Sequence, residues 1–207
     1  MALLSDALTI ARTYLNDDLA TQFPDPALIP KVQEAHRELQ EQLWLVGSPI
    51  VRGQVVLAYL SSSGAVFPTV PTDFLCPFAL LENTASSTIS SLNWIPMTEC
   101  FSIPEGTVLA ATLKLWAWNN EVIQIVGASA NRAILLKYRK LIPIPVDPSD
   151  PLGMIFAESY LGARAAAIAY GTVQNLEAAG AADTVAQTNL QRLMATHRGQ
   201  QKPLERP

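Results

Sequence analysis

Charge is scarce in this sequence. Asp, Glu, Lys and Arg make up 15% of the 207 residues, against roughly 25% in an ordinary soluble domain, while 49% of residues are hydrophobic. A monomer of this size needs a polar skin, and there is little charge from which to make one. Two readings stay open: partners cover part of the surface, or Ser, Thr, Asn and Gln supply the skin. Global disorder is excluded, because apolar surface is ample to offset chain entropy. The net charge of −4 argues against tight nucleic-acid binding. Gripping phosphates takes clustered cations, and the densest run is Lys137, Arg139 and Lys140. An acidic wall remains compatible with DNA sliding past without sticking.

Long apolar runs are also missing. The most apolar helical stretch, Met154 to Val173, carries Glu158 and Arg164 and is rich in Ala and Gly, so insertion into a membrane is costly. Asp6 and Arg12 come too early for the apolar core of a signal peptide. Cys76 and Cys100 are the only cysteines; they suit a reducing compartment with buried thiols, and whether they pair stays open. The expectation is folding in a cytoplasm, with no membrane contact.

Catalytic signatures are absent in the same way. There are two histidines. His36, amid charged neighbours, reads as a solvated helix position, and His197 as a group near a helix C-terminus, where partial charge suits the helix dipole. No CxxC, HExxH, calcium loop, Gly-rich phosphate loop or nucleophile elbow occurs. Cys76, in an apolar run before Pro77, reads as core. Asp17-Asp18 reads as a helix end, and Asp147 with Asp150 as a proline-rich turn. No residue is therefore assigned as catalytic, cofactor-binding or metal-ligating, and the expectation is a non-enzyme. Trp116 and Trp118 share one face of a strand by its period of two. They suit a β-core or a subunit interface, the alternative being a stacking platform for a ligand, which Trp94 would join.

What is present is a pattern of helix, helix, β-region, helix, helix. Leu4, Leu8, Ala11 and Leu15 predict a helix from Leu3 to about Leu19. Asp25 as N-cap and Pro26 in the first turn open a second, carried by Leu28, Val32, Ala35, Leu39 and Leu43 to about Val46; Gly47 and Pro49 stop it. Strands are predicted in Ile50–Leu60, Phe74–Leu81, Asn93–Thr98, Leu113–Trp118, Glu121–Val126 and Ala133–Tyr138, with Asn119-Asn120 as a hairpin turn and loops at Ser61–Gly64 and Thr84–Ser91. Asp150 and Pro151 signal a third helix from Leu152 to about Val173, crowded with Gly162, Ala163, Ala165, Ala166, Ala167, Ala169 and Gly171. Its glycines cost helix propensity and imply close backbone packing. A fourth helix runs from about Asp183 to His197, and 199–207 reads as a flexible tail. The class is α+β, as a single domain: a four-helix core from 1–47 and 152–198, with a mostly antiparallel β-rich insertion at 48–150.

These features resemble the head-to-tail adaptor (connector, head-completion) proteins of tailed bacteriophages, in particular the tail tubular protein A type. The resemblance rests on Leu39-Gln40-x-x-Leu43-Trp44 ending the second helix, on Pro71-Thr-Asp-Phe-Leu75, and on the aromatic strand pair Leu115 to Ile125. Ile134-Leu-Leu-Lys-Tyr-Arg139 running into Pro-rich sequence and the Ala-rich helix Ala157 to Tyr170 complete it. It covers about residues 3 to 195 as architecture, and no single motif is diagnostic. It implies a structural virion protein at the neck, made in the host cytoplasm. Its copies would form a ring, a dodecamer in that family, around the DNA channel, between the portal protein and a tail tube or nozzle protein. Genomic DNA would pass through without specific binding. With the low charge and small-residue helix, it makes Leu39, Leu43, Trp44, Trp116, Trp118, Gly162, Ala166 and Ala169 the candidate subunit interface. It makes Lys202, Pro203, Leu204, Glu205 and Arg206 the candidate portal contact. The alternatives are another phage neck or tail part, such as a tail terminator or tube protein, and a ligand-binding module using the Trp-rich β-region.

Overall fold

The computed structural model describes residues 2–59, 69–83, 94–103, 110–119, 121–126, 129 and 132–198, without the side chains of 58, 59, 197 and 198. The loops expected at 61–64 and 84–91, the tail 199–207 and the five candidate portal-contact residues lie outside them. The fold is α+β in the expected order. Chain contacts divide it into two compact units: Met1–Val51 with Ile142–Pro207, and Arg52–Leu141.

The first unit is helical. Its helices are α1 (Leu4–Leu15), α2 (Asp25–Leu45), α3 (Glu158–Thr172) and α4 (Leu176–Arg198), with a 3-10 turn at Pro49–Val51 after α2. Helix α3 packs against α1, α2 and α4. A helix enclosed on three sides is apolar all round, and Leu161, Ala163, Ala165, Ala166, Ala167 and Ala169 are all buried. Small residues let the neighbours come close. A Cβ on Gly162 would stand 2.5 Å from Ile10 Cγ2 and 3.0 Å from the Ala7 carbonyl, so this glycine is required by α1. Gly171 is a correction: nothing lies within 4 Å of a Cβ placed there, and close packing does not account for it.

Helix ends differ from the expected ones for local reasons. Helix α1 stops at Asn16, which takes the left-handed conformation (φ 50°). Asp17 then serves the following loop instead of the helix. Its carboxylate accepts hydrogen bonds from the Thr21, Gln22 and Phe23 N–H groups and the Thr21 hydroxyl at 2.7–3.2 Å. Burial pushes its pKa up, but these donors outweigh burial and hold it at about 2. Helix α3 starts at Glu158, not Leu152, because Gly153 (φ 70°) and Phe156 (φ 62°) interrupt the chain before it. Asp150 caps no helix; its Oδ2 accepts from Val146 and Asp147 N–H at 2.8 and 2.9 Å. Helix α4 begins earlier than expected, at Leu176, with Asn175 Oδ1 accepting from Ala178 N–H at 3.2 Å. The first N–H groups of α1 donate to the carbonyls of Asp150 and Pro148, 2.9 Å each, so the return segment closes that end.

Among the described residues the second unit holds seven strands: β1 (Arg52–Tyr59), β2 (Phe74–Asn83), β3 (Trp94–Pro96), β4 (Thr98–Cys100), β5 (Leu115–Asn119), β6 (Val122–Ile125) and β7 (Arg132–Lys140). They form a four-stranded antiparallel sheet, β1-β7-β2-β3, and a three-stranded sheet, β4-β5-β6, in which β4 runs parallel to β5. Asn119 is still in the strand, paired with Val122, and Glu121 takes φ 62°; Asn120 lies outside the described residues. The two sheets share one core of Leu80, Ile134, Leu136 and Tyr138 from one side and Trp116, Ile123 and Ile125 from the other. Trp118 meets Phe74 edge-on at 5.4 Å.

Candidate interaction surfaces

Most residues expected at a subunit interface are used inside the chain. Leu39 and Leu43 are fully buried in the helical core together with Ala166 and Ala169. Gly162 sits under Ile10. Trp116 is buried in the β core, while Trp44 and Trp118 are half-buried against their own units. The expectation confused two uses of one pattern: a small or apolar stripe looks the same whether it meets its own chain or a neighbour. Trp116 likewise has no open ring face to stack on a ligand.

The polar side chains inside the helical unit are pins. His36 is a second correction, for it is fully buried. Its Nε2 lies 3.0 Å from the Leu152 carbonyl and its Nδ1 3.2 Å from Gln40 Nε2. The Gln40 amide also donates to the Ile142 carbonyl at 2.8 Å and accepts from the Ile142 N–H at 3.0 Å. With Nε2 donating to a carbonyl and Nδ1 accepting from an amide, the ring is neutral. Burial lowers its pKa, the Leu152 bond partly opposes that, and nearby Arg37 lowers it further. No local sequence signal marks this, because both partners of the pair lie over a hundred residues away on the return segment.

Arg164, on α3, holds Glu38 of α2 through two bonds (2.7 and 3.0 Å) and Asp183 of α4 through a third (2.7 Å). A cleft of about 320 Å³ opens beside it, lined by Glu38, Glu41, Tyr160 and Gln187 among others. Burial and the Glu38 charge push the Tyr160 hydroxyl up to about 12, so it stays protonated at neutral pH. The cation is fully engaged by its two carboxylates, and the arrangement locks three helices. At the α1–α2 turn Arg12 pairs with Asp25. Among the described residues no cluster of three or more His, Cys, Asp or Glu side chains could hold a metal ion, and no helix is long and apolar enough to cross a membrane.

In the β unit, Asp73 accepts from the Tyr138 hydroxyl at 3.0 Å and pairs with Lys140 at 3.6 Å. Glu82 is buried against Arg132 at 3.1 Å and accepts from Leu113 N–H at 2.7 Å. Cys76 and Cys100 are free thiols, each only partly buried; Cys76 is thus not the core residue expected of it, because it stands beside a bulge in β2, opposite Arg139.

What remains open is apolar. Phe101 is 95% exposed, Leu45 74% and Phe156 66%. One face of the four-stranded sheet packs on the core through Val55, Leu57, Ile134 and Leu136. The pleat turns their neighbours Gln54, Val56, Leu135 and Lys137 to the other face, where Val56 is 42% exposed. Arg52 and Arg139 stand on that same outer face, directly opposite each other, with the Arg52 guanidinium over the Phe78 ring at 5.6 Å. The outer face therefore has an apolar centre and a cationic border. No protein-family model matches the chain, and no curated protein matches it either.

Proposed function

We propose that this chain is a structural virion subunit, a head-to-tail adaptor whose copies form a ring between portal and tail around the DNA channel. One observation carries the assembly part of this reading. Each unit already has a sealed core, yet bulky apolar side chains such as Leu45, Phe156, Phe78 and Phe101 remain on the surface. Exposed apolar surface on a chain so poor in charge is best explained by partners that cover it. Among the described residues, His36, Gln40 and Arg164 of the helical unit are each spent on joining one element to another, which favours a mechanical role for them. The element order supports the adaptor in particular, with two helices, a β insertion and an Ala-rich third helix in the sequence that family uses. On this reading the protein is made in the host cytoplasm and ends in the neck of the particle, and DNA passes without specific binding.

The test is capture of partners. The tagged chain is expressed in cells making the source particle, and captured proteins are identified by mass spectrometry. Recovery of a portal protein together with a tail protein is expected. Tail proteins without portal would move the chain down the tail, and capture of no virion protein would overturn the structural reading.

A further inference from the structure

Two features of the single chain cost stability, offset at the first only by the Arg52 contact with the Phe78 ring. Arg52 and Arg139 face each other across β1 and β7 on the exposed side of the sheet, and like charges directly opposite are destabilising. Phe156 holds a left-handed backbone (φ 62°) while its ring is mostly in solvent; for a bulky residue that conformation is an outlier. Strain of this kind persists where something outside the free chain uses it.

The two places are chemically complementary. The sheet's outer face carries Arg52, Lys137 and Arg139 around Val56 and Leu135, with no acid among its paired residues on β1 and β7. The segment from Leu141 to Ala163 contains no Lys or Arg, and its acids are Asp147, Asp150 and Glu158. It exposes Val146, Asp147, Ile155 and Phe156. Over the whole chain the same asymmetry holds: the helical unit's sequence has eight Lys and Arg against thirteen Asp and Glu, and the β unit's has six against five.

We infer that the outer face of the four-stranded sheet is the docking site for the 146–156 segment of a second copy of this chain, with Phe156 seated on the apolar centre and Asp147 against the cationic border. The contact joins different surfaces of two copies, so it is heterologous and propagates to a ring if the rotation closes. The inference rests on the self-assembly reading above and names its interface.

Disulfide trapping tests it in the full chain. In a Cys76→Ser, Cys100→Ser background, chains carrying Val56→Cys are mixed with chains carrying Phe156→Cys, one set isotopically heavy. Mixed 56–156 dimers between heavy and light chains are expected, well above like-with-like dimers. Arg139→Glu should lower the yield about tenfold, and adding Asp147→Lys to the partner chain should restore it. Arg139→Glu replaces a like pair by an opposite one, so its denaturation midpoint should hold or rise, which separates lost docking from lost folding. A mixed-dimer yield no higher than the like-with-like yield overturns the inference. So does a sheet face that instead retains DNA and loses it on Arg139→Glu. Portal and tail capture with no 56–156 dimers would sink this interface alone. Dimers without any virion partner would sink the adaptor reading and leave the interface standing.

Discussion

The helical unit seals itself with small residues and polar pins, whereas the β unit leaves part of the outer face of its larger sheet exposed, at Arg52, Gln54, Val56 and Arg139. In the first, α3 is enclosed by three helices, and three polar side chains tie the elements together: Gln40 to Ile142, His36 to Leu152, and Arg164 to Glu38 and Asp183. In the second, two thin sheets meet over a single shared core, and burial is lopsided. A four-stranded sheet needs only one covered face to be stable, so its second face is free for other uses. The difference teaches where to look for partners. A stripe of alanines marks packing within the chain here, while an ordinary-looking strand alternation hides the open surface.

The largest expected effect falls on the β unit. Trp116→Ala removes its biggest buried side chain and should cost about 3–5 kcal/mol. Because the helical core is a separate cluster, hydrogen exchange should speed up in β5, β6 and β7 while α3 stays protected. Equal loss of protection in both units would contradict the separation of cores. Gly162→Ala comes next. It forces Ile10 and α1 away from α3 and should cost about 1–3 kcal/mol, read as a lower denaturant midpoint.

How much of this was legible beforehand depends on the range of the interaction. Six of the seven described strands fell where β-branched and aromatic runs predicted them, because that signal is local; β4 did not, for the run Asn93–Thr98 was read as one strand and holds β3 and only the first residue of β4. The α1 and α3 boundaries moved because Asn16 and Phe156 adopt positive φ, which propensity does not announce. His36 was misread because its burial is created by Leu152, far along the chain. The candidate interface failed for a different reason: Leu39, Leu43, Ala166 and Ala169 carry the right pattern, but the chain itself satisfies it. Nothing in the sequence separates those cases until the return of α3 onto α1 is known.

Acid offers a finer test of the comparison. His36 is neutral in the fold, with its pKa lowered from 6.5 by burial. A depressed pKa means that its contribution is intact above about pH 6.5 and is lost as pH falls through that value toward the folded pKa. Asp17 adds a second loss as pH falls from 3.8 toward 2. Both groups lie in the helical unit, so urea midpoints should fall between pH 7.5 and 5 in the native chain, and His36→Gln should flatten that dependence. An unchanged slope in the variant would remove His36 from the account. The smallest effect is Gly180→Ala in α4. Nothing lies within 4 Å of the added methyl, so it should stabilise by about 0.5–1 kcal/mol, opposite in sign to Gly162→Ala.

The central claim is that the open surfaces exist to be covered by further copies of the same chain. Native mass spectrometry of the complex captured through this chain measures that directly, because it counts copies where assembly takes place. Many copies closed as a ring, a dodecamer on the adaptor reading, with the portal or a tail protein attached, is the predicted result. A single copy per complex would contradict it.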